Sequence, residues 1–427
     1  SLVGSEMCIR DRYKYIIENN KNNHIMKLSI YAPIILLLLL VLNGCGDKSS
    51  DEQTFITVDV DKSYSKKELI LQDLFDIEYV RLETNEKFLT SGKVRSIGEN
   101  LMLFTDSKNG GDIHVTDGKG KYLRTINRKG QSGEEYVYIN TVIYDEKNQE
   151  LYVNDTMTGR IQVYDLFGNF KRSIKHLMGA TYFRLDNFNQ DYLICYAEPS
   201  ADPTDSGYEE AIPNSGFMLV SKQDGSVQRI AIPFDVYVSG TIISENSGQK
   251  IYAAIQNSPL IPYFDNWLLT EISTDTIYLY ETDKRALKPF LVRTPSGKEM
   301  DPPVYLFPGV MTDRYYFLQS LKFEFNFSKG TGFPPAELVY DKQEDKVYRY
   351  EVYNQDVTKD EPLNLVWQFP PLPYLNNRNG IAFLSRMEAP GLVEAYEDGK
   401  LQGPLKEIAA NLEEESNPVI MIARYKD

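Results

Sequence analysis

A period-two pattern of apolar residues that returns along the chain constrains its fold more than any other feature of the sequence. Residues 113–126 (IHVTDGKGKYLRTI) and 161–174 (IQVYDLFGNFKRSI) align without a gap, with apolar residues at the first and third positions, Asp at the fifth and Gly at the eighth. Alternation is typical of β-strands with one buried face, and an Asp-x-x-Gly link supplies the hydrogen bonds and positive φ of a tight turn. Each segment is therefore predicted to be a β-hairpin.

Weaker copies of this pattern begin at Met218, Ile277, Leu338 and Val393, so the six copies start 48 to 61 residues apart. That spacing accommodates four strands and their turns, which is the unit of a β-propeller. We therefore predict an all-β fold, a six-bladed β-propeller. A β-sandwich followed by a further domain is the alternative.

The two ends of the chain are expected to meet in one blade. A closed ring of sheets leaves no exposed edge if the first and last strands pair. Closure of the propeller by pairing of N- and C-terminal strands would join residues 55–60 (FITVDV) or 75–83 (FDIEYVRLE) to residues 417–426 (NPVIMIARYK). The propeller is predicted to span residues 55–427.

An apolar run that ends at Cys45 precedes the repeats. This run covers residues 31–42 and falls short of the roughly 20 residues that cross a bilayer. A lysine before the run and a small glycine after it are typical of a signal peptide. The order Leu-Asn-Gly-Cys over residues 42–45 resembles the lipobox of bacterial lipoproteins. The resemblance implies lipidation of Cys45; a buried cysteine on a core helix is the alternative.

These features predict how the chain is organised before the propeller. Residues 1–25 resemble translated adapter and leader DNA, residues 26–44 are predicted to be the signal peptide, and residues 45–54 a polar tether. The lipid on Cys45 would hold the protein on a membrane. The expected location is the outer membrane, with the protein facing the periplasm or the cell surface.

The formal net charge of the chain is −15. Such a charge repels phosphate backbones, so no nucleic-acid partner is expected. Anionic polysaccharides would be repelled too, unless a local basic patch overrides the mean charge. Cys195 is the only cysteine after Cys45, so no intramolecular disulfide is predicted in the propeller.

Residues 55–427 contain two histidines, His114 and His176. His114 is expected to be a surface residue on a hairpin strand, and His176 has no Cys, Asp or Glu at metal-ligand spacing. Residues 106–112 (DSKNGGD) are expected to form a turn, because Lys108 stands where a calcium loop needs an acidic ligand. No metal, cofactor or catalytic residue is predicted.

Two aromatic segments, residues 263–267 (YFDNW) and 366–380 (VWQFPPLPYLNNRNG), contain both tryptophans of the chain. Aromatic faces beside amide and arginine side chains suit stacking on a sugar ring or holding a peptide. The alternative places both tryptophans in the core between blades. The candidate ligand-binding residues are Tyr263, Trp267, Trp367, Tyr374 and Arg378.

Residues 121–174 together with residues 74–84 (LFDIEYVRLET) resemble the six-bladed β-propeller lipoproteins of Bacteroidetes, relatives in shape of the NHL-repeat propellers. The Gly-x-Gly-Pro-Gly-Glu-Tyr turn of that family corresponds to residues 130–136 (GQSGEEY), which keep the first glycine and the final Glu-Tyr. The resemblance implies a propeller at the cell envelope. It carries over no biochemical activity.

The predicted function is a binding or interaction module for a glycan, a peptide or a partner protein. A polysaccharide-active hydrolase or lyase with acidic and tyrosine residues at the channel mouth is the alternative, and a purely structural subunit of an envelope complex is a third possibility. Buried carboxylates around the axis would favour the enzyme, whereas exposed aromatic residues at one rim would favour binding.

Overall fold

The structure is a computed structural model that describes residues 55–106, 110–198, 216–246, 249–256, 258–358, 362–366, 376 and 380–426. Cys45, the signal peptide and most of the tether lie outside the described residues, as do Trp367, Tyr374 and Arg378. The described residues form an all-β, six-bladed β-propeller, which confirms the predicted fold.

Three strands and a short helix precede the first complete blade. They are β1 (Ile56–Asp59), β2 (Lys66–Ile70), α1 (Leu71–Leu74) and β3 (Phe75–Arg81). None of these strands pairs with another of the three, because each joins a blade that later residues form.

Blades one to three are four-stranded antiparallel sheets whose strands follow chain order. Blade one contains β4 (Lys93–Ile97), β5 (Leu101–Thr105), β6 (Asp112–Asp117) and β7 (Tyr122–Asn127). Blade two contains β8 (Thr141–Asp145), β9 (Glu150–Asp155), β10 (Arg160–Tyr164) and β11 (Phe170–Lys175). Blade three contains β12 (Thr181–Asn187), β13 (Tyr192–Glu198), β14 (Phe217–Ser221) and β15 (Val227–Arg229).

A separate hairpin of β16 (Thr241–Asn246) and β17 (Gln249–Ala254) precedes blades four and five, each of which gains an N-terminal strand. Blade four contains β18 (Leu260–Tyr263), β19 (Asn266–Thr270), β20 (Thr276–Glu281) and β21 (Ala286–Thr294), with β1 parallel to β21. A 3-10 turn (Gly297–Glu299) follows.

Blade five contains β22 (Val304–Met311), β23 (Tyr315–Lys322), β26 (Pro335–Asp341) and β27 (Lys346–Tyr353). The N-terminal strand β2 pairs in parallel with β27. A small hairpin of β24 (Phe325–Asn326) and β25 (Thr331–Gly332) is inserted between β23 and β26.

Blade six closes the ring. Its described strands are β28 (Ile381–Met387), β29 (Val419–Tyr425) and the N-terminal β3, in that order. The antiparallel pairing runs from Val419 opposite Arg81 to Tyr425 opposite Phe75. Of the two N-terminal candidates, residues 75–83 therefore supply the closing strand. Residues 55–60 instead extend blade four, where Val58 is fully buried.

The first five copies of the sequence repeat coincide with the third strands of blades one to five, which are β6, β10, β14, β20 and β26. The prediction of a sixth hairpin from Val393 is wrong. These residues form α2 (Ala389–Glu397) and α3 (Gly403–Ala409), each with a proline in its first turn.

Helix geometry explains that error. The Asp-Gly pair at 398–399, which looked like a hairpin turn, ends α2: Gly399 has a φ of 68° and its N–H donates to the carbonyl of Tyr396. Apolar side chains of both helices, including Leu392 and Leu405, pack together beside the start of β29. In blade six, the paired strands β29 and β3 take the place of the predicted hairpin.

The turn at residues 130–136 is held by its own glycine and tyrosine. The N–H of Gly130 donates to the carbonyl of Tyr136 at 3.0 Å, and the buried Tyr136 hydroxyl donates to the carbonyl of Gly111 at 2.6 Å. A Cβ at position 130 would overlap the Glu135 carboxylate at 1.9 Å. A larger residue at this position would therefore require the Glu135 side chain to move and to give up the hydrogen bond from the Ser132 N–H.

The first strands of neighbouring blades contact each other around the axis: β4 meets β8, β8 meets β12, and β18 meets β22. Apolar clusters fill the spaces between the sheets, with fully buried residues such as Tyr152, Phe104 and Phe317. The first strands thus line a channel, and the bulk of the core lies outside it.

Within the described ranges no helix has the length and apolar character that crossing a membrane requires.

The buried side chain of Asn417 ties the start of β29 to the segment between β3 and β4. Its substitution therefore tests how the propeller ring is closed. Its Oδ1 accepts from the N–H of Thr90 at 2.8 Å, and its Nδ2 donates to the carbonyls of Glu83 and Phe88 at 2.7 and 2.8 Å. Asn417→Ala is expected to lower the free energy of unfolding by roughly 2–4 kcal/mol, since each buried polar group left without a partner costs about 1–3 kcal/mol.

The measurement is urea denaturation, with Asn411→Ala as the matched control. Asn411 is exposed and its Nδ2 makes a single hydrogen bond, to the Glu407 carbonyl of the preceding helix. The control should change the unfolding free energy by less than about 0.5 kcal/mol. Equal losses in both variants would contradict the role given to Asn417.

Candidate functional site

A cavity of about 650 Å³ opens at one end of the channel. We call this opening the mouth cavity. Its walls are the first strands of blades one to three, β4, β8 and β12, and the turns that follow them. Residues 264–266, the turn between β18 and β19 of blade four and the first residue of β19, complete the rim. Four blades therefore contribute to one concave site.

Phe264 is the most unusual residue of this rim. Its φ of 51° lies in the left-handed region, which costs a bulky residue about 1–2 kcal/mol. Its ring contacts Tyr263, with centroids 4.8 Å apart, and stacks on Tyr425 at 6.2 Å. The same side chain also lines a second cavity, of about 800 Å³, beside blades five and six. A strained aromatic residue shared by two cavities is a candidate ligand contact.

The two described candidates from the sequence, Tyr263 and Trp267, flank this turn. Trp267 lines the mouth cavity but is only 2% exposed, and it packs with Tyr280 and Leu269 in the core between blades three and four. Tyr263 is half-buried, and its hydroxyl lies 3.0 Å from that of Tyr316. Burial and this hydrogen bond raise the pKa of Tyr263.

The burial of each aromatic side chain decides how much surface it offers to a ligand. Trp267 has the environment of a core residue and offers the cavity little surface. Phe264, which sequence reasoning did not single out, presents more of its ring. Of the second aromatic segment, Val366 and Asn376 are buried, and Gly380 lines the second cavity. The roles assigned to Trp367, Tyr374 and Arg378 stay predictions.

A buried ion pair holds the rim of blade three against blade two. The ammonium group of Lys222, 3% exposed, pairs with the Asp145 carboxylate. It also donates to Asn187 Oδ1 and to the carbonyl of Asn189, each at 2.6 Å. Because Asp145 is engaged in this way, its carboxylate supports the rim and is not free to act on a ligand.

Four basic side chains lie on first strands that surround the channel, and we call them the cationic cluster: Lys93, Arg95, Arg184 and Arg386. Lys93 and Arg95 belong to β4, Arg184 to β12 and Arg386 to β28. Arg95 also lines the mouth cavity, and its Nε donates to the Thr105 hydroxyl at 2.6 Å.

The members of the cationic cluster are close enough to affect one another. Burial, followed by the charges of the three arginines, lowers the pKa of Lys93 to about 8. Burial, opposed by Tyr138 and reinforced by Arg184, lowers the pKa of Arg95 to about 10. The sequence carries a faint signal of this cluster, since each base interrupts an otherwise apolar or aromatic strand. The β-bulge that places Arg95 between Val94 and Ser96 cannot be read from it.

His114 is not a surface residue as predicted, because it is only 5% exposed. Its Nδ1 lies 2.9 Å from the Thr125 hydroxyl and its Nε2 lies 3.2 Å from Asp106 Oδ2. Burial alone would raise the pKa of Asp106, but bonds from His114, the Ser91 N–H and the Thr90 hydroxyl lower it to about 2. The histidine therefore completes an internal hydrogen-bond network.

His176 is half-buried, with Nε2 at 2.9 Å from Asn154 Oδ1 and its ring stacked on Tyr182 at 4.2 Å. Burial lowers its pKa to about 4, so the imidazole is neutral at neutral pH. Cys195 is fully buried, which raises the pKa of its thiol. Within the part of the chain that the structure describes, no group of three or more His, Cys, Asp or Glu side chains is placed to hold a metal ion.

Several solved structures resemble this chain in fold. A protein described as "Putative exported protein" from Bacteroides fragilis is similar at a TM-score of 0.57 and 15% identity, over 88% of this chain and 100% of that one. A member of the DUF4221 family from Bacteroides vulgatus aligns at a TM-score of 0.41 and 11% identity, over 65% of this chain and 86% of that one. BamB from Moraxella catarrhalis aligns at 0.36 and 9%, over 82% and 98%.

At these identities the similarity shows a shared fold and does not extend to activity. Among curated proteins, none matches this sequence. The sequence profile of a family described as "Domain of unknown function (DUF4934)" matches residues 55–424, which is nearly the whole of the propeller. The chain therefore belongs to the DUF4934 family.

Proposed function

We propose that this protein is a lipid-anchored binding module of the cell envelope that takes a glycan or peptide ligand in the mouth cavity. The observation that carries the proposal is the cavity of about 650 Å³, walled by three first strands and rimmed by the Phe264 turn. Ligand sites of this kind are concave, combine apolar walls with a few placed polar groups, and fall in the range of about 300–1,000 Å³.

The lining offers both kinds of contact. Phe264 supplies aromatic surface, while Asn189, Gln190 and Asn266 bring carboxamide groups to the same rim. Amides that donate and accept hydrogen bonds beside an aromatic face suit the hydroxyl groups of a sugar or the backbone of a peptide. The rim thus fits the recognition of polar ligands.

Binding is favoured over the hydrolase or lyase alternative because Asp145, Glu146 and Tyr263 already form structural bonds, while the lining residues Asp265 and Asp283 are exposed to solvent. The Asp145 carboxylate is paired with Lys222, and the Glu146 carboxylate accepts from the N–H of Glu99 at 3.1 Å. The Tyr263 hydroxyl is engaged with Tyr316. Groups held in structural bonds contribute shape to the cavity and are poor candidates for acid–base catalysis.

The anchor is proposed from the sequence, since Cys45 lies outside the described residues. The lipobox-like residues 42–45 and the short polar tether would place the propeller next to a membrane, where it could meet envelope glycans or partner proteins. An exported relative in fold from Bacteroides fragilis is consistent with this address.

Phe264→Asn is expected to weaken ligand binding without unfolding the protein. Asparagine tolerates positive φ, so the turn is kept while the ring is lost. Removal of an aromatic contact of about 1–1.5 kcal/mol corresponds to an affinity about tenfold lower. The measurement is a thermal-shift screen against oligosaccharides and short peptides, in which ligand at 100 times its Kd adds about 2.7 kcal/mol to wild-type stability.

The matched control is Phe333→Asn. Phe333 is also a half-buried phenylalanine at positive φ, 52°, but it packs on Phe323 and Phe325 beside the inserted hairpin of blade five. The control should keep the ligand response. A response that survives Phe264→Asn, or that disappears equally in both variants, would contradict the assignment of the mouth cavity.

Cys45→Ala tests the anchor. In cells fed an alkyne analogue of palmitate, the wild-type protein is expected to take up the label and the variant is not, because the thiol that accepts the lipid is gone. Cys195→Ala is the matched control: the propeller cysteine is fully buried and should have no effect on labelling. Equal labelling of wild type and Cys45→Ala would show that the lipobox interpretation is wrong.

A further inference from the structure

The cationic cluster runs against the charge of the rest of the chain. The protein carries 61 acidic and 46 basic residues, yet Lys93, Arg95, Arg184 and Arg386 all lie on the first strands of blades one, three and six. All four side chains are partly buried. Like charges that share a partly desolvated space repel each other strongly, and folded proteins retain such groupings where an opposite charge compensates them.

The topology brings the cluster together from three blades. Lys93 begins β4 and Arg95 lies two residues further along the same strand. Arg184 comes from β12, which is separated from β4 only by β8. Arg386 reaches back from blade six, where its guanidinium donates to the carbonyl of Ser91 at 2.8 Å, next to the start of β4. The cationic cluster therefore forms only when the ring closes, because no single segment of the chain contains all four side chains.

Among the described residues, the partners of Lys93, Arg95 and Arg386 provide little negative charge. Arg386 pairs with Glu388 at 2.7 Å, but that glutamate is 54% exposed. The Nε of Arg95 bonds the neutral hydroxyl of Thr105. No carboxylate of the described residues forms an ion pair with Lys93, although its ammonium group is partly desolvated and has three arginines near it. A nearby anion would stabilise an ammonium group in that setting.

We propose that the cationic cluster is a binding site for an oxyanion with two or more negative charges, a phosphate or polycarboxylate group. Guanidinium and ammonium groups are the standard protein partners of both chemistries. Arg95 faces the mouth cavity, so an anion can enter from that side. Tyr138, which lies close to Arg95 and is partly exposed, adds an aromatic surface that would also suit the ring of an acidic sugar.

This site goes beyond the proposed function and does not depend on it. The mouth cavity selects its ligand through Phe264 and the carboxamides of the rim, whereas the cationic cluster selects by charge. The two sites adjoin at Arg95. Phe264→Asn is expected to leave anion binding within about twofold of wild type, which separates a failure of one assignment from a failure of the other.

The test is thermal unfolding of the purified full chain with inorganic phosphate, citrate or trigalacturonate, each compared with sodium chloride at equal ionic strength. We expect a saturable rise in melting temperature that chloride does not reproduce. Lys93→Met and Arg95→Met are each expected to weaken the affinity about tenfold or more, because charge-assisted hydrogen bonds to the anion are lost. Lys119→Met, which removes the same charge from an exposed turn, should keep the wild-type response.

The three anions also identify the source of the group. A response to phosphate and citrate supports a site for small free anions, and a response to trigalacturonate alone supports an acidic saccharide. No saturable response to any of them, or a response that persists in both Lys93→Met and Arg95→Met, would overturn the proposal.

The melting temperature of Lys93→Met without an added oxyanion gives a second test that does not depend on binding. In chloride alone the variant should melt at the wild-type temperature or above it, because an uncompensated like charge has been removed from the cluster. A lower melting temperature with native circular dichroism would show that the ammonium group is already compensated within the chain, and this would also overturn the proposal.

Discussion

Pairing of β29 with β3 is the interaction on which the rest of the structure depends. It joins residues more than 300 positions apart and turns a row of sheets into a ring. Only a closed ring brings β4 and β12 within reach of the blade-six residue Arg386. Asn417 reinforces the closure by satisfying three backbone groups of the segment that leads from β3 to β4. The channel and both candidate sites follow from that single pairing.

Two kinds of polar group meet in this channel. Near the mouth, Lys222 is matched by Asp145 and by two oxygen acceptors, so a buried charge there serves to hold blades together. On β4, Lys93 shares its strand with Arg95, and Arg386 bonds the carbonyl of nearby Ser91. The first arrangement satisfies itself within the protein, and the second is completed by an anion. A net charge of −15 would otherwise keep acidic ligands away, and a local basic patch is what such ligands would need.

Most of the fold could be predicted because each blade repeats a local pattern. Alternation and the Asp-x-x-Gly turn located the third strands of five blades, and the C-terminal closing strand was recognisable. Blade six was misread because Asp398–Gly399 can end a helix as readily as it turns a hairpin. The site was largely beyond sequence reasoning. Trp267 turned out to be packed between blades, while Phe264 and Arg95 owe their positions to a positive φ and a β-bulge.

The channel is best tested by direct observation of its contents in crystals grown with selenate, an anomalous scatterer that mimics sulfate and phosphate. An anomalous peak about 3 Å from the Lys93 ammonium nitrogen, and in contact with at least one arginine of the cationic cluster, is the expected result. Electron density that shows Lys93 paired with a carboxylate of the chain, and no peak in the channel, would contradict it.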